Sequence, residues 1–78
     1  MLLVTTEQIA GRNVELLGIV EGSYTEMMEK ARKLATDKMV KNAQQMGADA
    51  VICVRYSSSE VMQGAAEVLV YGTAVRLV

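Results

Sequence analysis

The sequence contains no histidine, no proline, no tryptophan and no phenylalanine, and it has a single cysteine. One cysteine cannot form a disulfide within the chain, and the absence of histidine removes the usual ligand sets of a structural zinc site. Eight Lys and Arg against nine Asp and Glu leave no basic excess for binding phosphates, and three tyrosines offer few surfaces for stacking bases. We therefore expect no nucleic-acid partner and no cofactor.

Long apolar runs are also missing. No stretch approaches the ~20 residues needed to span a membrane, and the start of the chain lacks the basic and apolar segments of a secretory signal. We expect no membrane association and a cytoplasmic location, which a lone cysteine fits. Three of the nine acidic residues lie on helix positions beside lysines, and without histidine no general acid–base pair is evident, so we expect no enzymatic activity.

The length of 78 residues, 51% of them hydrophobic, indicates one small domain spanning residues 1–78. A domain of this size buries only about 60% of its unfolded surface and usually gains stability from disulfides, a metal or association. The composition removes the first two in their simplest forms. The sequence therefore predicts association with further copies of the chain.

The pattern of apolar and turn residues predicts the element order ββαββ. The strands are expected at Leu2–Thr6, Val14–Val20, Ala50–Tyr56 and Ala66–Leu77, with a short additional strand at Glu60–Met62 after a turn in "SSSE". Gly18 predicts a bulge in the second strand, and Gly72 predicts a bend in the last.

One long helix, Tyr24–Met46, is predicted from apolar residues at helical spacing. Ser23 and Glu26 have the spacing of a capping box at its start. Four of its methionines are expected in the core, because methionine fills irregular gaps there. They are Met27, Met28, Met39 and Met46.

The stretch "QQMGADAVICVRYSS" joins the helix to the third strand. Gly47 is placed to adopt the left-handed conformation that ends many helices. Ala48 and Asp49 then form a turn, with Asp49 expected to bond locally to the backbone, and a buried strand begins at Ala50. The segment is predicted to be an architectural joint.

The faces of the strands give a second reason to expect association. Simple alternation places Val51, Cys53 and Arg55 on one face of the third strand, and neither this strand nor the last has a clean polar face. One helix covers only one face of a sheet. We therefore expect the other apolar face to be covered by a neighbouring subunit.

"GADAVICVRY", followed by "VYGTAV" with Gly72, Thr73 and Ala74, resembles the YbjQ-like family, whose members are often labelled heavy-metal-binding proteins of unknown function. The resemblance implies an α+β subunit, similar to that of dodecin, with one long helix on an antiparallel or mixed sheet. It also implies a homo-oligomeric ring, typically a pentamer. Many relatives carry an insertion between the second strand and the helix that is absent here, and they commonly have glycine where this chain has Cys53.

Four side chains are candidates for a site. Cys53 could serve as a soft-metal ligand, but the chain offers it no histidine or second cysteine, so a small buried hydrophobic residue is the favoured interpretation. Arg55 is expected to need a partner such as Glu60 or Glu67. An ion pair at a subunit interface is favoured, and contact with an acidic ligand is the alternative.

The function predicted from these observations is that of a small ring-forming protein that acts as a binding or structural module, with itself as its partner. The alternative is a protein that binds a metal or small ligand at a subunit junction or on the ring axis.

Overall fold

The computed structural model describes residues 1–78 as a four-stranded sheet that carries one helix on one face. The elements are β1 (Leu2–Leu3), β2 (Val14–Glu26), α1 (Met28–Gln45), β3 (Ala50–Met62) and β4 (Ala65–Leu77). The strand order is β1-β3-β4-β2, with β1 parallel to β3 and the other neighbours antiparallel. The predicted order ββαββ and the α+β class with a mixed sheet are confirmed.

The strands β2 and β3 are longer than predicted. The strand β3 continues through Glu60 to Met62, and the turn lies at Gln63 and Gly64, so the predicted turn in "SSSE" and the separate short strand are wrong. The serines remain in the strand because each has a partner on β4: Ser57 lies opposite Leu69, and Ser59 opposite Glu67. The predicted first strand shortens to Leu2–Leu3.

The start of the helix also differs from the prediction. The helix begins at Met28 with Met27 as its N-cap, no side chain caps it, and the predicted capping box is not formed. Instead, Ser23 lies opposite Leu69 in the sheet, as the strand β2 extends to Glu26. Pairing with β4 outweighs the capping preference, which is a local effect of about 1 kcal/mol.

The end of the helix is a Schellman motif. Gly47 has φ of 78°, its N–H donates to the carbonyl of Gln44 (3.0 Å), and the N–H of Ala48 donates to the carbonyl of Ala43 (3.1 Å). These are the two reversed bonds that close a helix on a left-handed glycine. The helix stop predicted at Gly47 is therefore present.

The core lies between α1 and one face of the sheet. The helix contributes Ala31, Ala35, Met39 and Ala43, all with no exposed surface, and the strands contribute mainly valines. Small helix residues permit a close approach: a Cβ on Gly22 of β2 would overlap the carbonyl oxygen of Ala35. The subunit is consequently thin, with dimensions of 45 × 22 × 16 Å.

Two tyrosines hold the flanks of the helix. The amine of Lys38 lies 4.8 Å from the ring centroid of Tyr24 on β2, and the guanidinium of Arg32 lies 5.5 Å from that of Tyr56 on β3. The hydroxyl of Tyr56 also shares a 2.9 Å hydrogen bond with Thr36. Cation–ring contacts of this kind contribute about 0.5–1 kcal/mol each at exposed sites.

Cys53 forms a bulge that inverts the faces of β3. Its φ is 57°, and it is the only residue other than glycine with a positive φ. The register with β4 shifts between Ile52 and Arg55. As a result, Val51 and Val54 face the helix, whereas Ile52 and Arg55 lie on the opposite face. The expectation that Val51 and Arg55 share a face is therefore wrong, because a single left-handed residue breaks the alternation.

Candidate interaction face and strand edges

The face of the sheet opposite the helix is covered only in part. Residues 4–9, called the strap here, cross one end of it: Val4 and Ile9 pack against Ala50, Ile52 and Val75. The strap therefore supplies, within the subunit, a partial cover for the face that is expected to be covered by a neighbouring subunit. No periodic pattern in the sequence predicts it, since residues 4–9 form no regular element.

The remainder of this face, called the open face here, has an apolar and a polar half. Leu16 and Ile19 on β2 are 67% and 82% exposed, and Tyr71 on β4 is 42% exposed. Towards the β3–β4 turn the face becomes polar. There it carries Glu21, Ser23, Thr25, Arg55, Ser57, Ser59 and Glu67.

Two open strand edges flank this face. The strand β2 has β4 as its only neighbour, so its outer edge is open along Val14–Glu26. On the other side, β1 and the strap pair with β3 only as far as Val54, whose N–H donates to Val4 (3.0 Å). The outer edge of β3 is therefore open from Arg55 to Met62. Unpaired edges of this length readily pair with another chain.

The backbone groups that point outward can be assigned from these bonds. Because Val54 donates outward to Val4, alternation turns the N–H and C=O groups of Tyr56, Ser58 and Glu60 outward as well. On β2 the carbonyl of Glu21 accepts a hydrogen bond from Asn42 of the helix (2.9 Å), so the groups of Glu21 point outward. Alternation then turns those of Ile19, Ser23 and Thr25 outward too.

Arg55 lies at the corner between the open face and the outer edge of β3. Its Nη1 donates to the carbonyls of Thr5 (2.7 Å) and Val54 (2.9 Å), which ties the strap to the sheet. It forms no ion pair with Glu60 or Glu67, since the one ion pair in the chain joins Glu15 and Arg76 (3.5 Å). Its positive charge therefore has no carboxylate partner within the subunit.

The two candidate partners of Arg55, Glu60 and Glu67, lie on opposite faces of the sheet. Glu67 lies on the central strand β4 on the open face, and Glu60 lies opposite Ala66 on the helix side of β3. Both are exposed. Glu60 is five residues from Arg55 and so lies on the other face of β3. Glu67 lies opposite Ser59, four residues along β3 from Arg55, so the three side chains do not form one site.

Cys53 is half-buried beside the strap, and its N–H donates to the carbonyl of Thr6 (3.0 Å). No group of three His, Cys, Asp or Glu side chains in the chain could hold a metal ion. Any metal site that uses Cys53 would need ligands from more than one subunit.

The "GADA" motif fixes the exit from the helix. Asp49 accepts a hydrogen bond at Oδ2 from the N–H of Leu77 (2.9 Å), and its own N–H donates to Val75 (2.9 Å). The expected local bond is thus replaced by one to the end of β4. Ala50, which follows, is fully buried. The motif acts as a joint between the helix and two strands.

The glycine of the "GTA" motif, Gly72, is required by close packing between β3 and β4. Gly72 does not bend β4 as expected, since it lies opposite Val20 in regular pairing. A Cβ there would come 2.6 Å from Val51 Cγ1 and 2.9 Å from the carbonyl oxygen of Ile52. Glycine is needed because the bulge of β3 brings its chain against β4. Thr73 follows on the strap side, and Ala74 is buried against the helix.

Three of the four methionines expected in the core are exposed. Only Met39 is buried, whereas Met27, Met28 and Met46 are 65%, 45% and 38% exposed. Met27 and Met28 line a shallow depression with Gly64 at one end of the subunit. All three exposed methionines lie at the ends of the helix: Met27 is its N-cap, Met28 its first residue and Met46 its C-cap. No helix of the chain has the length and apolar character needed to cross a membrane.

Comparison with known proteins identifies the family. The family described as "Putative heavy-metal-binding", YbjQ, matches residues 21–78. The chain belongs to the YbjQ-like family. A UPF0145 protein of Clostridium novyi is 42% identical over 102 aligned positions, which cover 99% of both chains. A UPF0145 protein of Thermotoga maritima is 44% identical over 103 positions, covering 99% of this chain and 97% of the relative.

The alignments show that these family members are longer within the shared region. An alignment of 102 positions against 78 residues leaves at least 24 positions (102 − 78) where the Clostridium novyi relative has residues and this chain has none.

A solved structure confirms the fold. A protein of unknown function from Pediococcus pentosaceus, assigned to the DUF74 family, superposes with a TM-score of 0.86 at 19% identity, covering 100% of this chain and 98% of that one. The likeness extends over the whole chain, so the sheet and helix described above are the fold of that protein too.

Proposed function

We propose that this member of the YbjQ-like family is a non-catalytic module that works as a closed homo-oligomer, formed by pairing the outer edge of β2 with the outer edge of β3 of the next subunit. The observation that carries the proposal is that both flanks of the sheet end in open strand edges. The two edges differ, so the contact is head-to-tail, and such a contact leaves no free edge only when it closes into a ring. The family resemblance suggests five subunits.

The surface of the subunit supports this proposal. Its accessible area is 5126 Å², whereas a compact monomer of this mass exposes roughly 4,650 Å². Only 16 of its 78 residues are buried, so the subunit has a thin core. Each 100 Å² of apolar surface covered on association contributes roughly 2.5 kcal/mol of gross transfer energy.

Proline at the outward positions tests the edge contact. Ser23 and Ser58 are exposed, and each turns its N–H outward, so proline at either position removes a donor to the neighbour and spares the bonds to β4. We expect Ser23→Pro and Ser58→Pro each to lower the oligomer mass, measured by light scattering after size exclusion. The matched controls Ser23→Ala and Ser58→Ala should keep it. A parent protein with the 8.5 kDa mass of one subunit at micromolar concentration would contradict the proposal.

The family description favours a second candidate, the binding of a soft metal ion at a subunit junction. Because one subunit offers no cluster of metal ligands, we expect stoichiometric metal only in the assembled protein. Dialysis against Zn²⁺ or Cu⁺, followed by elemental analysis of the parent and of Ser58→Pro, measures this. Metal bound equally by both proteins would place the site within one subunit and contradict this candidate.

A further inference from the structure

The side chains of the two open edges carry opposite charges on the same face. Glu21 on β2 and Arg55 on β3 both lie opposite Tyr71 of β4, one from each side, so the three residues form one row across the open face. The row runs from a carboxylate at one edge of the sheet to a guanidinium at the other. Neither Glu21 nor Arg55 has an ion-pair partner within the subunit.

We infer that Arg55 pairs with Glu21 of a neighbouring copy, and that this pair sets the register of the subunit junction. The inference deepens the proposed function and rests on it, since it requires the edges of β2 and β3 to meet. Both strands are antiparallel to β4, so they run in the same direction. Joining the outer edge of β3 to the outer edge of β2 in a continued sheet then gives a parallel pair.

The backbone geometry permits this register. In a parallel pair, a residue whose N–H and C=O point towards the neighbour lies opposite one whose groups point away. Glu21 turns its groups outward, whereas Arg55 turns its groups inward towards β4. The two residues also lie on the same face of their sheets. A shift by one residue would turn the backbone groups the wrong way and place the two side chains on opposite faces. Only shifts by an even number of residues therefore remain as alternatives, and the smallest is two.

The side chains then select among the allowed registers. With Arg55 beside Glu21, the open edge of β3 runs along Glu21–Glu26 from Arg55 to Glu60, and only Val61 and Met62 extend beyond the end of β2. A shift of two residues places Arg55 beside Ile19 or beside Ser23. Only the register with Arg55 beside Glu21 places opposite charges next to each other. A shift of two residues in either direction loses this attraction, so complementary charge favours the first register.

The same register provides a cover for the apolar half of β2. The strap and β1 occupy the outer edge of the first part of β3. The first half of the neighbour's β2 cannot pair with β3 there, so its Leu16 and Ile19, the most exposed apolar residues of the open face, would pack on β1 and the strap instead. Met1 and Leu2, each 45% exposed, add further apolar surface on that side. One junction thus accounts for the open edges, the unpaired charges and the bare apolar residues.

Disulfide cross-linking between subunits tests the register of the proposed β2–β3 junction. In a Cys53→Ser background, we would introduce cysteines as Ser23→Cys and Ser57→Cys, which face each other across the junction in this register. Mild oxidation should join subunits into covalent oligomers. The matched control, Thr25→Cys with Ser57→Cys, is offset by two residues and should cross-link at least about tenfold more slowly, because a disulfide needs Cβ atoms about 3.5–4.5 Å apart. Faster cross-linking in the control would overturn the inferred register.

Charge exchange tests the ion pair itself. Glu21→Arg should weaken association by about tenfold per junction, and the double variant Glu21→Arg with Arg55→Glu should restore it. Since Arg55→Glu also removes the bond to the strap, a second test avoids Arg55. The register places Glu60 beside Glu26 of the neighbour, so Glu60→Gln should tighten association, whereas Glu67→Gln on the central strand should leave it unchanged.

The outcomes separate this inference from the proposed function. A monomeric parent would defeat both. An oligomer that loses mass on Ser58→Pro but is indifferent to Glu21→Arg and Glu60→Gln would uphold edge pairing and overturn the Arg55–Glu21 pair. Association constants from sedimentation velocity over a concentration series supply the comparison.

Discussion

The Cys53→Gly variant should be more stable than the Cys53→Ala variant, whereas alanine is the more stabilising residue at regular positions of a sheet. Cys53 has φ of 57°, a conformation that costs a residue with a Cβ about 1–2 kcal/mol. Glycine avoids that cost but gives the unfolded chain more freedom, which removes about 0.4–1 kcal/mol. The balance favours the Cys53→Gly variant over Cys53→Ala by about 0.5–1 kcal/mol.

Comparing these two variants removes the contribution of the thiol. Cys53 packs against the small cluster of Ala50, Ile52 and Val75, and both substitutions delete its sulfur atom. The difference between them therefore reports mainly the backbone conformation. Urea denaturation followed by circular dichroism gives the two midpoints. Protein concentrations must match, because self-association makes stability depend on concentration.

A control at Ser57 makes the result specific. This residue lies in the regular part of β3 opposite Leu69 and is exposed. Here Ser57→Gly should be less stable than Ser57→Ala by about 0.5–1 kcal/mol. If Cys53→Gly were also less stable than Cys53→Ala by that amount, the left-handed conformation at the bulge would be refuted.

Three further predictions concern the joints of the fold, each measured on the purified variant. Gly22→Ala should destabilise the fold by about 1–3 kcal/mol in urea denaturation, since its Cβ would overlap the carbonyl of Ala35; an unchanged midpoint would mean that the helix can move away from β2. Gly47→Val should cost about 1–2 kcal/mol through strain at the helix stop, and Ala48→Ser is the neighbouring control. Arg55→Ala should speed amide exchange in the strap at least tenfold relative to the helix, because it removes the bond to Thr5; equal exchange in the variant and the parent would show that the strap is held by other contacts.

The sequence predicts the elements well where local and long-range preferences agree. Gly47 ends the helix in the left-handed conformation that glycine adopts easily, as expected. Gly18 lies at a bulge where the register with β4 shifts, which is also as expected. Residues 23–26 carry two conflicting signals. Their capping-box spacing favours a helix start, while pairing of Ser23 with Leu69 extends the strand. That pairing partner is distant in sequence, so local pattern could not reveal which signal prevails.

The candidate site was predictable only in part for a similar reason. The expectation that Arg55 needs a charged partner stays a prediction, whereas the face predicted for it is wrong because that prediction counts along an unbroken strand. The left-handed residue at Cys53 shifts that count by one. The commonness of glycine at this position in relatives was the available signal, because glycine marks positions of positive φ. Glu21 and Ile19 were missed because alternation alone does not show which strand lies at an edge.

The short link between β2 and α1 connects the packing of the subunit with its open edge. Met27 alone separates the two elements, so the helix must turn back over the sheet directly from the end of β2. Gly22, Ala35 and the other small residues of the interface allow that close crossing. The same link has no residues to spare for shielding the outer edge of β2. An edge strand of 13 residues that pairs with no other strand on its outer side and contains no proline is a strong template for pairing. In this chain the compact connection and the open edge therefore have one structural cause, and the proposed association with a second copy would leave neither edge unpaired.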